Sequence, residues 1–296
     1  MYQRNMISFP ADTETLKGWF YQPLATKLPA PCIIMTHGFA ALIEHHLLPF
    51  AEVFAAAGFC VLVYDNRNCG MSSGEPRNEI NPHIQIKDYS HAINFAQTLP
   101  QVNPDYIGIW GTSYSGGHVL VAGADDRRVK SIVSQVPFIK GHHQYLQEKY
   151  PEKWLSIQQA YEKDRADRAK GLSPQKIPAV SLEKNNNAVM VGERAYQFFT
   201  GVKYWQNEVT LQSVAMSGDY NPGNWAAKIT PTPILFIVAE QDRLNPIEFA
   251  LECFDQMQPP KNLIKLTGDH FSAYWEEFAI ASQAACEWFK DTLMEK

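Results

Sequence analysis

Short apolar, β-branched runs alternate along this chain with longer segments whose apolar residues recur every three or four positions. That rhythm predicts an α/β architecture, a mostly parallel sheet with helices on both faces. The first two strands are expected to differ. Residues 6–9 and 16–21, joined by the turn-rich PADTET, read as an antiparallel hairpin that opens the sheet. Residues 32–36, 60–64, 107–110, 129–134, 234–238 and 263–266 follow as candidate strands, for an eight-stranded sheet. Three intervening helices are visible by spacing. In PFAEVFAAAG, Phe50, Val53, Phe54 and Ala57 fall at i, i+3, i+4 and i+7, and Gly58 supplies the stop. A second helix is predicted over about 82–99, with Ile86, Tyr89, Ile93 and Ala96 on one stripe, and a last one aligns Phe278, Ala281, Ala285, Trp288 and Phe289.

The rhythm breaks after Pro137 and resumes only at PTPILFIVAE. Between them lie a helical patch over 154–170 with the charge run EKDRADRAK and the loop-like pieces LSPQKIP and EKNNN. The expectation is a helical cap insertion, 137–227, placed after the sixth strand over the sheet's carboxyl edge, with the core formed by 1–136 and 228–296. The alternative is a set of helices packed on the flank.

Composition narrows the class. A chain of 296 residues with 45% apolar and 12% aromatic content is ample for a proper core. A formal charge of −5 without a basic tract argues against nucleic acid as a partner. No run of eighteen apolar residues and no signal-peptide core is present, so a soluble, cytoplasmic chain without a membrane span is expected. The five cysteines form no C-x-x-C pair and read as reduced thiols. Neither a metal nor a cofactor is expected.

The candidate chemistry sits in GTSYSGG, residues 111–117, directly after the apolar DYIGIW. It resembles Gly-x-Ser-x-Gly with the last glycine one step late. A nucleophile elbow needs a strand that ends, a strained tight turn at the serine and a helix that starts at once, so the residues two before and two after must be small. Gly111 and Ser115 meet that demand around Ser113. Ser115 as nucleophile, flanked by Ser113 and Gly117, fits the pattern loosely but begins the turn two residues late.

A serine hydroxyl is a weak nucleophile until a base takes its proton, so a histidine and an acid are predicted downstream. Asp242 lies in EQDRLNP after the strand PILFIVA, and His270 in TGDHFSAY after NLIKL. Glu240 and Asp269 compete as acids, but one is a single step past its strand and the other abuts His270. His37, His91 and His118 are expected to pack or bond locally, and His45, His46, His142 and His143 to lie in solvated loops. Oxyanion donors are expected from the backbone N–H groups of Tyr114, after the serine, and Phe39, in the THGFAAL loop where Gly38 lets the chain turn.

HGF at 37–39, DNRNCGMSSGEP at 65–76, GTSYSGG, EQDRLNP and GDHF, in this order, resemble the α/β-hydrolase superfamily over nearly the whole chain. The Ser-Tyr pair with a late glycine is similar to the Xaa-Pro-peptidase and cocaine-esterase branch and its shorter relatives. These include dienelactone-hydrolase-like proteins and the fungal polyketide-transferase group. Ser113 stands where dienelactone hydrolases carry cysteine, and the added β-sandwich of the peptidase branch is not expected after the final helix, which argues against peptidase specificity. Within DNRNCG, Asp65 and Arg67 are expected to tie down the turn, and Cys69 to be a buried thiol. The resemblance implies hydrolysis of a small-molecule ester, thioester or lactone, with acyl transfer, an idle binding protein, or a lyase or cyclase on the same fold as alternatives. Family analogy suggests a homodimer.

Overall fold

The computed structural model describes residues 1–183 and 187–294. Strands β1 (Tyr2–Ala11) and β2 (Glu14–Pro23) form the opening hairpin, in register from Tyr2 opposite Pro23 to Ala11 opposite Glu14. Both are longer than expected, because only residues 12 and 13 make the turn and Asp12 adopts φ 54 there. The predicted PADTET connection is thus largely ladder.

Next come β3 (Ala30–Thr36), helix α1 (Leu47–Ala56), β4 (Cys60–Tyr64), α2 (Pro82–Ala96), β5 (Val102–Thr112), α3 (Tyr114–Asp125) and β6 (Val129–Gln135). Asn81 caps α2, its side chain accepting from the N–H groups of His83 and Ile84, with Pro82 at the first helical position. That helix ends three residues before the predicted Leu99. Gly58, at φ 107, follows α1 as anticipated.

The stretch between β6 and the next sheet strand holds α4 (His143–Lys149), α5 (Pro151–Ala169), β7 (Lys176–Ile177), β8 (Val180–Ser181), β9 (Met190–Val191), α6 (Glu193–Thr200), β10 (Val209–Thr210) and α7 (Leu211–Asp219). LSPQKIP is therefore only partly loop, since Ile177 pairs with Val209 across β7 and β10. Of EKNNN, residues 184–186 lie outside the described residues. The chain closes with β11 (Ile234–Ala239), α8 (Ile247–Gln256), β12 (Lys261–Leu266) and α9 (Phe278–Leu293).

The eight-stranded sheet runs β1-β2-β4-β3-β5-β6-β11-β12, parallel from β4 onward. Alternate side chains feed two cores. Met35, Val61, Val63 and Trp110 pack with Phe50, Phe54 and Phe289 of α1 and α9. Ile34, Leu62, Ile109 and Phe236 pack with Tyr89, Ile93, Val119 and Leu120 of α2 and α3. Strand order reverses at β3, with β4 on one side and β5 on the other, so the carboxyl ends of β3 and β5 flank the crevice where open α/β sheets bind ligands.

Buried histidines bear on stability. His37 and His118 are packed in the core, as expected, His37 bonding its neighbour Gly38 and His118 the distant Tyr220 and Gln85, but His45 is fully buried and His143 only 5% exposed, contrary to their expected place in solvated loops. The reason is the stretch between β6 and β11: Phe198, Phe199 and Trp205 surround His45, and Trp154 and Tyr161 lie on His143. Burial lowers His37 and His118 to about 3 and His45 to about 4. A histidine depressed in the folded state adds stability above its unfolded value of about 6.5 and loses it as pH falls. The thermal midpoint is thus expected to fall steadily as pH goes from 7 to about 4.5; a flat profile contradicts three neutral buried imidazoles.

Candidate active site

Strand β5 passes into α3 with no intervening loop, and Ser113 occupies the corner at φ 56, ψ −117. A residue with a side chain disfavours that conformation, so neighbouring bonds must hold it. Ser113 N–H donates to Gln135 O at 2.9 Å, and Ser113 O accepts from Phe138 N–H at 2.8 Å. At Gly111 an added Cβ would lie 2.1 Å from Ser115 O, so strand and helix meet with no room for a side chain. At Gly117 it would lie 2.4 Å from Phe138 O, which accounts for the late glycines by the close approach of α3 to the segment after β6.

Ser115 has a different task from Ser113. It is fully buried, and its Oγ accepts from Thr112 N–H at 2.9 Å and donates to Thr36 O at 2.8 Å. The hydroxyl therefore pins the end of β5 to β3 inside the elbow. Ser115→Ala leaves the Thr112 N–H buried without a partner and is expected to cost about 1–3 kcal/mol in denaturant unfolding. Ser113 should stay reactive toward an acylating probe; loss of reactivity with stability intact would point to Ser115 instead.

Asp242 and His270 reach this corner from the loops after β11 and β12. His270 Nε2 lies 3.1 Å from Ser113 Oγ, and His270 Nδ1 lies 2.7 Å from Asp242 Oδ2. With Nδ1–H donating to the carboxylate, Nε2 is left to accept from the serine hydroxyl. Asp242 Oδ1 accepts from the N–H groups of Leu244 and Asn245 at 2.9 and 2.8 Å, which fixes the carboxylate. His270 is 5% and Asp242 7% exposed, so the pair interacts largely away from water.

The competing acids are otherwise placed. Asp269 accepts from the N–H groups of Phe271 and Ser272 and pairs with Arg194 at 2.8 Å, and Glu240 is exposed. Glu277, unremarked in the sequence, accepts from Thr267 and Gly268 N–H and steadies the loop that delivers His270.

Gly38 runs against the elbow, where an added Cβ would lie 2.9 Å from Ser113 Cβ. The Phe39 and Tyr114 rings meet edge to face at 5.4 Å. Among the described residues, neither the Phe39 nor the Tyr114 backbone N–H has an acceptor, and Tyr114 opens the first turn of α3, where such groups are left over. In the DNRNCG loop, Asp65 accepts from Ile43 and Met71 N–H, and Arg67 pairs with Asp88 and Asp12. Both tie down the turn.

Two recesses open on Ser113. One of about 30 Å³ is walled by His270, Phe198, Phe199, Phe271 and Tyr274. The other, of about 180 Å³, is walled by Tyr114, Phe138, Val189, Met190 and Val214. A larger cavity, about 330 Å³, lies beyond Ala41 and does not reach Ser113. Cys69 lines it, its thiol pushed up to about 12 by burial. The aromatic wall around His270 was not legible in the sequence; Phe271, in GDHF, was its sole local signal. Among the described residues no cluster of His, Cys, Asp or Glu is arranged to hold a metal ion, and no helix is long and apolar enough to cross a membrane.

Known proteins are similar to this chain in sequence and, where solved, in structure. The quorum-quenching protein AidA of Acinetobacter baumannii (strain MDR-ZJ06) is 30% identical over 273 residues, covering 90% of this chain and 88% of that protein. The thiohydrolase aneE of Aspergillus aculeatus is 30% identical over 246 residues, covering 79% and 76%. The polyketide transferase grgF of Penicillium sp is 31% identical over 259 residues, covering 87% and 85%. The crystal structure of alpha/beta hydrolase GrgF from Penicillium sp. sh18 superposes with a TM-score of 0.86 at 27% identity, over 99% of this chain and 100% of that one. The family model for the alpha/beta hydrolase fold matches residues 31–277. With that match over most of its length, the chain belongs to the alpha/beta hydrolase fold family.

Proposed function

We propose that the protein is a serine hydrolase that cleaves a carboxylic ester, thioester or lactone through an acyl-enzyme on Ser113. The observation that carries this reading is the hydrogen-bonded line from Ser113 Oγ through His270 to Asp242, at 3.1 and 2.7 Å. Ser113 Oγ attacks the carbonyl carbon as its proton passes to His270 Nε2, and Asp242 stabilises the resulting imidazolium. The negative charge that develops on the carbonyl oxygen falls to the free N–H groups of Phe39 and Tyr114, the latter helped by the α3 dipole. His270 then returns its proton to the leaving oxygen or sulfur, and water attacks the acyl-enzyme by the same route.

Residues 137–227 act in this scheme as a cap on a core formed by 1–136 and 228–296, since both recesses draw walls from them. The leaving group must depart past His270, which assigns the 180 Å³ recess, lacking that residue, to the acyl group. A medium, apolar acyl chain suits its Phe138, Val189, Met190 and Val214 lining.

Acyl transfer is the second reading, favoured by the name of the polyketide transferase grgF. The 30 Å³ beside His270 has room for about two waters, as the hydrolytic step requires. Turnover of a panel of esters and thioesters of graded acyl length by wild type and Ser113→Ala tests the proposal. Dependence on Ser113 is expected with every substrate that reacts, and equal turnover by both proteins would refute the acyl-enzyme.

A further inference from the structure

The loop between β3 and α1 carries Phe39, and its backbone is held from outside. Ala40 adopts φ 57, a left-handed conformation that side chains disfavour. Two polar links join this loop to the insertion. The Trp205 indole Nε1–H donates to Ala40 O at 2.7 Å. Two residues on, Leu42 N–H donates to His45 Nδ1 at 2.9 Å, and His45 Nε2 faces Phe199 O at 3.0 Å. With Nδ1 accepting, the hydrogen sits on Nε2 and is donated to that carbonyl at the end of α6.

Packing makes the two links one unit. The His45 ring stacks on Phe198 at 5.5 Å and meets Trp205 edge-on at 5.9 Å, and Trp205 lies 5.1 Å from Phe199. Buried imidazole at neutral pH stays uncharged, so Nδ1 remains an acceptor for Leu42 N–H. The Phe39 N–H has no acceptor of its own among the described residues. Its direction is set by the backbone on either side, and Ala40 is its immediate neighbour.

We infer that Trp205 and His45 are positioning residues for the oxyanion site: by holding Ala40 O and Leu42 N–H, they fix the backbone that aims the Phe39 N–H. The insertion then does more than cover the substrate. It completes a donor that belongs, by sequence, to the other end of the chain. This inference rests on the acyl-enzyme reading above.

Trp205→Phe keeps an aromatic, though smaller, ring against Phe199 and His45 and removes the indole donor. The test compares kcat, KM and the Ki of an acyclic trifluoromethyl ketone, which forms a tetrahedral oxyanion adduct with an activated serine. Loss of kcat by about tenfold or more, with Ki weakened by a similar factor and KM within about twofold, is expected for a donor needed only in the transition state. A folded Trp205→Phe enzyme with kcat and Ki within twofold of wild type overturns the inference, as does a change confined to KM. Should that variant fail to fold, His45→Gln, which retains an acceptor and a donor, carries the same measurements. A folded His45→Gln with kcat and Ki unchanged while His45→Phe loses both supports the inference, and wild-type values in both overturn it. Wild-type turnover that survives Ser113→Ala is a separate result: it removes the acyl-enzyme reading and this inference with it, without reference to Trp205.

Discussion

Ser113→Ala is expected to lose at least about three orders of magnitude in kcat/KM on any ester or thioester the wild type turns over, while folding normally. The magnitude follows from what the hydroxyl alone supplies. On the proposed mechanism no acyl-enzyme forms without Oγ, and His270 and the two N–H groups would be left to assist a direct attack by water. A thousandfold loss corresponds to about 4 kcal/mol of barrier. Folding should survive because the corner is held by main-chain bonds, Ser113 N–H to Gln135 O and Phe138 N–H to Ser113 O, which alanine retains. Matched circular dichroism and thermal midpoints for the two proteins, beside the rate loss, separate a chemical role from a structural one.

The second large effect is on stability. Gly111→Ala would place a Cβ 2.1 Å from Ser115 O and 2.9 Å from Val119 Cγ1. The first of these is a helix carbonyl that cannot swing aside, so α3 must lift from β5 or the strand must bend. A loss of about 3 kcal/mol or more is expected, seen as a midpoint lower by roughly 6 °C or more or as failure to fold. Gly201→Ala serves as control, because the nearest atoms to an added Cβ there are 3.5 and 3.6 Å away, and it should change stability by less than about 0.5 kcal/mol. Equal midpoints for the two variants would contradict the steric account of the elbow.

That account also explains why the odd spelling of GTSYSGG was readable. The requirement at the elbow is for small size at two facing positions, and Ser115 satisfies it while adding a bond to Thr36 O. The sheet was legible for a similar reason: runs such as CIIMT and ILFIVA are buried on both faces, so their composition alone declares a central parallel strand. Ser113, Asp242 and His270 were each named from their position after a strand, and they lie in one hydrogen-bonded line.

What the sequence hid depends on contacts between distant segments. His45 in LIEHHLL has no periodicity to mark it as buried; only the arrival of Phe198, Phe199 and Trp205 from the stretch between β6 and β11 buries it. The two-residue strands β7 to β10 are too short to show an alternating pattern. The division of the space at Ser113 into 30 and 180 Å³ recesses comes from side chains on several separate stretches of the chain. None of these follows from local spacing.

Covalent labelling reads the reactivity of Ser113 Oγ directly. Wild-type protein treated with a fluorophosphonate and examined by intact mass and peptide mapping is predicted to carry a single adduct, on Ser113. The adduct should be absent in Ser113→Ala and should form at least about a hundredfold more slowly in His270→Gln. An unlabelled wild type, or an adduct on Ser115 or any other residue, would contradict Ser113 as the nucleophile.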